Sequence, residues 1–378
     1  MSQKSEFTKQ LVRYIIYLLV VIGLTVLSFY LTLGKNIDLV ILTLRKSNLF
    51  YILAVLGVVL ILILLRSTVI FCLTRTYNKK YTFHRAMAID QVGALYRMVT
   101  PAGLGGHVME AYTYKKQKVS LSHALSILAM YSLIYQVVLI LYNIITLIVK
   151  HKLITDIGYI TLSFNDSSSF HVSLWLLIVI GFLINLLVIG FIFLISYWNG
   201  FYRFMRNPIG RLFKKVKIVK DEEKYHNKID GAVVSFRKNL SKLLRHYPTL
   251  IICAVCFFLY ISLTYSVPYI VGKSLNNTSV YANVWDSIFL GNLHQMITCI
   301  IPLPGSSLVS ELFFLRLFYP AVGPKFYSTE EIARASLLLW RSLLFIIPLF
   351  IACLVTVLYR PRKEKKDADH SEDQIVQE

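Results

Sequence analysis

A repeated helix-breaking motif between long apolar segments constrains this chain more than any other feature. Its first copy, Gly93–Glu110, reads GALYRMVTPAGLGGHVME, and its second copy opens with GNLHQMIT at Gly291. In each copy a proline, Pro101 or Pro302, is followed nine residues later by a glutamate. Proline and glycine at this density break a helix. The sequence therefore predicts two broken, re-entrant elements of two short helices each, and paired elements of this kind mark the binding site in repeat-built carriers.

Hydropathy identifies the class of protein in which these motifs lie. Hydrophobic residues make up 56% of the sequence and the mean hydropathy is +0.61, which is typical of an integral membrane protein. Six apolar stretches are long enough to cross a bilayer: Leu11–Leu33, Leu49–Phe71, Leu121–Val149, Leu174–Trp198, Leu250–Val271 and Ala335–Tyr359. We therefore predict an all-α membrane fold with six spanning helices, two broken elements (up to eight membrane segments) and an inverted-topology repeat.

The placement of charge predicts the orientation of the chain. The formal net charge is +20, and basic residues concentrate in the polar segment Phe201–Tyr247 and after the last apolar stretch. The segment His151–Val172 is nearly neutral and is expected to be a polar outer loop. By the positive-inside rule, both termini are expected in the cytoplasm. No nucleic-acid-binding motif accompanies the charge, so a nucleic-acid partner is not expected.

This orientation divides the chain into a membrane domain and a tail. Residues 1–360 form the membrane domain, with one repeat at about residues 84–149, a second at about 283–358 and a basic cytoplasmic loop at 201–247. Residues 361–378 form a charged tail that is expected to be disordered. The basic loop is either an amphipathic segment on an anionic membrane face or a solvated connector. The first repeat enters from inside and the second from outside, the architecture of alternating-access carriers.

Ionisable side chains inside membrane segments are costly and mark functional candidates. The candidate substrate-binding residues are Arg97, Pro101, Gly103, Gly105, Gly106, Glu110, Pro302, Pro304, Gly305, Glu311 and Arg341. Glu110 and Glu311 occupy matched positions, which favours a site role over capping of a helix N-terminus. Arg97 and Arg341 either neutralise these carboxylates or bind an anionic head group, which suits a guanidinium fork. The first motif's glycines can let backbone N–H groups approach a phosphate.

Other chemistry has little support in the sequence. It contains no Walker A motif, no HExxH, no GxSxG and no clustered metal-ligand spacing, so no catalytic residue, metal or cofactor is predicted. The five cysteines lie in or beside apolar segments and are expected to pack rather than form disulfides. His107 and His294 do not align in the repeat and are interpreted as packing residues. Arg66 is expected to extend its charge to the membrane interface.

The two motifs carry a family resemblance. TPAGLGG at Thr100–Gly106, PLPG at Pro302–Gly305 with Glu311 after it, and LWR at Leu339–Arg341 resemble the lysylphosphatidylglycerol synthase/flippase transmembrane region. The resemblance extends over roughly residues 10–360. One departure is that the family's second motif continues with further glycines, whereas Ser306–Ser310 follows here.

The resemblance implies a phospholipid flippase or lipid-linked carrier of the bacterial cytoplasmic membrane, which moves an aminoacylated or other anionic-backbone lipid between leaflets. Full-length members add a soluble domain that transfers lysine from charged tRNA to phosphatidylglycerol. The sequence ends 18 residues after Arg360, so we expect translocation more than synthesis. The alternatives are a phosphatidylglycerol lysyltransferase, a membrane subunit of such a synthase, and an ion-coupled carrier of a small solute. The expected partners are phosphatidylglycerol or lysylphosphatidylglycerol, with a separate synthase and a second copy of the chain as further candidates.

Overall fold

The computed structural model describes residues 37–100, 103–165, 168–197, 234–321 and 323–359, with isolated positions at 23, 26, 27 and 30. Most of the predicted first span, Leu11–Leu33, lies outside the described residues. So do Pro101, residues 201–233 of the basic loop and the tail at 361–378.

Helices make up most of the described chain. In order they are α1 (Ile37–Arg45), α2 (Leu49–Arg75), α3 (Phe83–Val99), α4 (Leu104–Lys116), α5 (Leu121–Val149), α6 (His151–Ile157), α7 (Leu174–Tyr197), α8 (Tyr247–Ser274), α9 (Val284–Thr298), α10 (Val309–Phe318), α11 (Glu330–Arg341) and α12 (Ile347–Leu358). Residues 234–244 are also helical.

Five helical segments are long and apolar enough to cross a membrane. They are Leu49–Arg75, Leu121–Val149, Leu174–Phe191, Tyr247–Ser274 and Glu330–Leu358. Each coincides with an apolar stretch predicted to span, which confirms the all-α membrane fold. The last segment joins α11 to α12 through a π-helical turn, Ser342–Ile346. Pro348 follows this turn, and because proline lacks an N–H and crowds the preceding turn, it explains the local widening.

Each motif divides into two helices, as predicted. In the first element α3 ends at Val99 and α4 begins at Leu104, and Gly103 between them has a φ of +67°. In the second, α9 ends at Thr298 and α10 begins at Val309. A short 3₁₀ turn, Pro304–Ser306, lies in this second break. We call these interruptions the first and second breaks.

One predicted loop is partly wrong. The segment expected to be an outer loop contains α6 and then an antiparallel hairpin of β1 (Tyr159–Asn165) and β2 (Ser168–Ser173). Tyr159 pairs with Ser173, and the register shifts between Ser163 and Asn165. Gly158, with a φ of +61°, ends α6 and turns the chain into β1. The β-branched and aromatic residues of β1 then favour an extended chain.

The two motifs pack into separate apolar cores. In the first, Tyr114 of α4 is fully buried beside Ile70 of α2 and Phe257 of α8. In the second, Leu293 of α9 and Phe314 of α10 are buried together. Polar caps fix where the helices flanking the site begin, because Ser120 accepts the His123 N–H of α5 and Asn283 accepts the Asp286 N–H of α9.

Candidate lipid-binding site

The second break lies against the end of α3. A Cβ built on Gly305 would lie 3.3 Å from the Met98 carbonyl oxygen and 2.5 Å from Cζ of Phe345. Gly305 also has a φ of +59°, which favours glycine. The two breaks are therefore neighbours in space, between α3 and the π-helical turn of the last spanning segment.

The first break is closed by contacts that require glycine. A Cβ on Gly106 would lie 2.2 Å from Cγ of Arg97, and one on Gly105 would lie 2.6 Å from Cγ2 of Thr100. The Gly105 N–H donates to Oγ1 of Thr100 at 2.9 Å. The sequence interpretation that these glycines expose N–H groups to a phosphate is therefore wrong for Gly105, whose N–H is already engaged. Their small size lets α4 fold back onto α3.

A buried ionic cluster joins α2, α3 and α4. Nε and Nη2 of Arg66 donate to Oδ1 of Asp90 at 2.9 and 2.7 Å. Arg97 donates to Glu110, and its Nη2 lies 3.6 Å from Oδ1 of Asp90. Nδ1 of His107 lies 2.7 Å from the other Glu110 oxygen. Both carboxylate side chains are 0% exposed, whereas Arg66, Arg97 and His107 are 15%, 24% and 47% exposed.

The cations and the anions of this cluster differ in exposure. The two carboxylates lie behind the two guanidinium groups, so the accessible side of the cluster is cationic. The two arginines balance the charges of the two carboxylates, which offsets the cost of burying carboxylates in an apolar bundle. Asp90 also accepts a hydrogen bond from Gln91 at 2.9 Å. The cluster is thus held rigidly from behind.

A second buried pair holds the second break. Nε of Arg341 lies 2.7 Å from Oε1 of Glu311, and both side chains are almost fully buried. This contact lacks hydrogen-bond geometry, and neither Glu311 oxygen accepts a hydrogen bond within the described chain. Nη2 of Arg341 donates to the Gly305 carbonyl at 2.7 Å and to Oγ of Ser307 at 2.8 Å. The guanidinium also lies over the Phe345 ring, 3.9 Å from its centroid.

Neither glutamate caps a helix. Glu110 lies in the middle of α4 and accepts from Arg97 and His107. Glu311 lies in the first turn of α10 without accepting a hydrogen bond from a described residue. A capping hydrogen bond is therefore absent at both matched positions among the described residues, but Glu311 lies in the first turn of α10, where the helix dipole favours a carboxylate. Each carboxylate is instead paired with an arginine from outside its own helix, Arg97 of α3 or Arg341 of α11.

A cavity of about 510 Å³ lies between the two breaks. Its wall is formed by Arg97, Gly103, Leu104, Gln136, Ile184, Asn185, Val188, Thr298, Cys299, Ile301, Pro302, Leu303, Gly305 and Ser306. An adjoining cavity of about 320 Å³ shares Arg97, Gln136 and Val188 with it. The second cavity continues to Arg66, His107, Tyr131, Ser132, Tyr135, Phe257 and Tyr260. We call the two together the central cavity.

The structure separates the predicted site residues into two groups. Four of them line the central cavity: Arg97, Gly103, Pro302 and Gly305. Six others lie outside its wall: Gly105, Gly106, Glu110, Pro304, Glu311 and Arg341. Pro101 lies outside the described residues. The two matched glutamates therefore support the wall from behind, and the residues that face the cavity come from both breaks.

Sequence reasoning missed several wall residues. Arg66 was expected to reach the membrane interface, but its guanidinium pairs with Asp90 and lines the cavity. His107 was interpreted as a packing residue, yet it is half-exposed on the cavity wall. The available signal was the position of Arg66 within an otherwise apolar helix. His294, by contrast, is buried against Phe314 and Trp340, as a packing residue would be.

Polar side chains from α5 and α7 complete the wall. Nε2 of Gln136 donates to both the carbonyl and Oδ1 of Asn185, each at 2.9 Å. Nδ2 of Asn185 donates to the Gly181 carbonyl at 3.0 Å. These amides place uncharged polar groups opposite the arginines. The wall therefore combines guanidinium donors, amides and tyrosine rings.

Spanning helices, two neighbouring breaks and a cavity with two arginines on its wall define a polytopic membrane protein with cationic groups in an internal cavity. The family model of the lysylphosphatidylglycerol synthase TM region matches residues 14–352, and the chain belongs to this family. It is thus a multi-pass membrane protein related to lysylphosphatidylglycerol synthesis and flipping. A comparison with curated proteins found no match.

Proposed function

We propose that the chain binds the phosphate-bearing head group of a phospholipid in the central cavity and moves the lipid between the two leaflets of the membrane. The main support for this proposal is the pair of guanidinium groups, Arg66 and Arg97, on the wall of the central cavity between the two broken helices. A guanidinium suits a phosphate because it presents several donors in one plane.

Arg97 is the more direct candidate for phosphate contact. Its Nη1 is engaged by Glu110, but its buried Nη2 forms no hydrogen bond within the described chain. Nη2 lies 3.6 Å from Oδ1 of Asp90, an ion-pair distance too long for a hydrogen bond, and an anionic ligand that reached this group would supply an acceptor. Arg66 uses Nε and Nη2 on Asp90, so it adds positive potential and has Nη1 left for a ligand.

The remainder of the wall suits an aminoacylated head group. Tyr131, Tyr135 and Tyr260 line the same cavity, and the rings of such residues attract an ammonium group. The guanidinium carbon of Arg66 is itself 6.0 Å from the Tyr260 ring centroid. A lipid with both a phosphate and an ammonium can therefore contact arginine and tyrosine together. This arrangement favours lysylphosphatidylglycerol over phosphatidylglycerol as the bound lipid.

The test is leaflet-resolved lipid analysis of cells that contain phosphatidylglycerol and lysylphosphatidylglycerol, with the chain, with Arg97→Gln, and without either. We expect the wild-type chain to raise lysylphosphatidylglycerol in the outer leaflet and Arg97→Gln to abolish the increase. Arg334→Gln is the matched control, because Arg334 pairs with Glu330 outside the central cavity. Normal transport by Arg97→Gln at equal abundance would refute the proposal.

A second lipid analysis distinguishes translocation from synthesis. Cells that make phosphatidylglycerol alone are given the chain, and their total lipids are separated. New lysylphosphatidylglycerol would support the lysyltransferase alternative. We expect none to form.

A further inference from the structure

A row of polar side chains follows the contact between α5 and α9. Lys150, which caps the C-terminal end of α5, forms an ion pair with Asp286 of α9. Nδ2 of Asn292 donates to Oγ1 of Thr146 at 2.9 Å. From the first pair to the second, the position moves backward along α5 and forward along α9, so the two helices are antiparallel. We call this contact the α5–α9 seam.

The next turn of each helix continues the seam with amides that lack partners. Asn143 precedes Thr146 by three residues, and Gln295 follows Asn292 by three, so both lie on the same faces as that pair. Asn143 is 0% exposed. Within the described chain no hydrogen bond reaches its Oδ1 or Nδ2, Oδ1 of Asn292 or Oε1 of Gln295, all of which are buried. Buried amide atoms without hydrogen bonds are rare in protein interiors, and a polar occupant such as water would satisfy these four.

The seam has a cavity at each end. Gln136 of α5 and Cys299, which caps the C-terminal end of α9, line the central cavity. Lys150 and Asp286 line a separate cavity of about 260 Å³, the Lys150 cavity. Lys150 caps the helix that contains Gln136 and lies 14 residues after it, which is about 21 Å at the rise of an α-helix. The seam therefore covers about two-thirds of a hydrocarbon core of about 30 Å.

We propose that the α5–α9 seam is a hydrated polar path along which the lipid head group passes between the central cavity and the Lys150 cavity. The role as a path rests on the proposed function, whereas the hydration does not. Water is the occupant that matches the unpaired atoms, because it supplies donors to the three oxygens and an acceptor to Nδ2 of Asn143. A bound cation would satisfy the oxygens alone. Because the amides are neutral, they can contact both the phosphate and the ammonium of a head group but bind neither as tightly as a charged side chain would.

Hydration is tested by cysteine accessibility in a variant with the five native cysteines replaced by alanine. Asn143→Cys and Gln295→Cys are treated with a small hydrophilic thiol reagent in intact membranes. Ile144→Cys is the matched control, since Ile144 neighbours Asn143 but is exposed on the outside of the helix bundle. Because the reactive thiolate needs polar surroundings, we expect both seam positions to react about tenfold faster than position 144. Equal, slow reaction at all three positions would overturn the proposal.

The role as a path is tested by Asn143→Leu, with Asn143→Gln as the conservative variant and Ile144→Leu as the control. Asn143→Leu should lose outer-leaflet delivery of lysylphosphatidylglycerol at equal abundance, while the other two retain it. If Asn143→Leu is missing from the membrane, Asn292→Leu takes its place with the same expectation. Normal delivery by a membrane-inserted leucine variant would overturn the path. Fast cysteine reaction in a chain that delivers no lipid would refute the proposed function and leave the seam hydrated.

Discussion

Arg97 and Glu110 form an ion pair across the first break, and each side chain lies against a glycine of the other's helix. A Cβ on Gly93 of α3 would lie 2.1 Å from Oε1 of Glu110, and one on Gly106 of α4 would lie 2.2 Å from Cγ of Arg97. The glycines let the helices approach closely enough for the buried carboxylate to reach its cation. The pairing in turn offsets the cost of removing that carboxylate from water.

A side chain at Gly93, where Glu110 fills the space beside the glycine, is predicted to destabilise the protein. We expect Gly93→Ala to lower the free energy of unfolding by about 1–3 kcal/mol, because the added methyl group displaces the Glu110 carboxylate. This outweighs the gain in helix propensity of about 1 kcal/mol. Gly57→Ala in α2 is the control, since a Cβ there meets nothing within 4 Å. Thermal unfolding in detergent measures both, and equal stability would contradict the prediction.

Much of the fold follows from local sequence properties. The five described spans follow from apolar length alone, and both breaks follow from clustered glycine and proline. The hairpin at Tyr159–Ser173 was not predicted, because its alternation is short and polar residues interrupt it. Its strands depend on pairing with each other, which a single-strand pattern does not reveal.

The site was only partly predictable because its contacts are set by helix packing. The sequence marks Arg97 and Glu110 as unusual, and their separation of 13 residues across a break makes pairing plausible. It does not indicate that Arg66 reaches Asp90, since that pair depends on how α2 lies against α3. Which residues line the central cavity is likewise set by tertiary packing, because the matched glutamates lie behind the wall and do not form it.

A hydroxyl at the first break is predicted to stabilise the start of α4. Oγ1 of Thr100 donates to the Tyr96 carbonyl at 2.7 Å and accepts the Gly105 N–H. Thr100→Val keeps the shape but removes both bonds, so we expect a loss of about 1–2 kcal/mol in detergent unfolding. Thr298→Val, at the matching position of the second motif, is the control, because its hydroxyl makes a single long bond of 3.3 Å to Gln295. A larger loss at Thr298 would argue against this assignment.

The pair behind the second break is predicted to respond asymmetrically to neutralisation. Arg341→Gln leaves the buried Glu311 carboxylate without its cation, and we expect a loss of about 3–5 kcal/mol. Glu311→Gln should lose only about 1–3 kcal/mol, because Arg341 keeps the Gly305 carbonyl and the Ser307 hydroxyl as acceptors. The double variant should be more stable than the sum of the two losses implies. Additive losses would show that the pair is not coupled.

Glu311→Gln is further predicted to reach the membrane but to lose lipid delivery. The carboxylate is tied through Arg341 to the second break, so its charge holds the cavity wall in place. Glu110→Gln should have a weaker effect on delivery. Outer-leaflet lysylphosphatidylglycerol, normalised to protein abundance, measures both variants. Normal delivery by Glu311→Gln would show that this carboxylate has a structural role and is not needed for lipid delivery.

The second break carries backbone strain that a single glycine should relieve. Ser306 and Leu308 have φ values of +51° and +74°, which side-chain-bearing residues rarely adopt. Leu308 immediately precedes α10 and is partly exposed, so its side chain contributes little burial. We expect Leu308→Gly to stabilise the protein by about 1–2 kcal/mol in detergent unfolding. Leu303→Gly, at a position with an ordinary φ of −79°, is the control and should destabilise.

If the strain helps the break to change conformation, Leu308→Gly should also slow lipid delivery. A variant that is more stable but delivers lipid at the wild-type rate would show that the strain is not needed for transport.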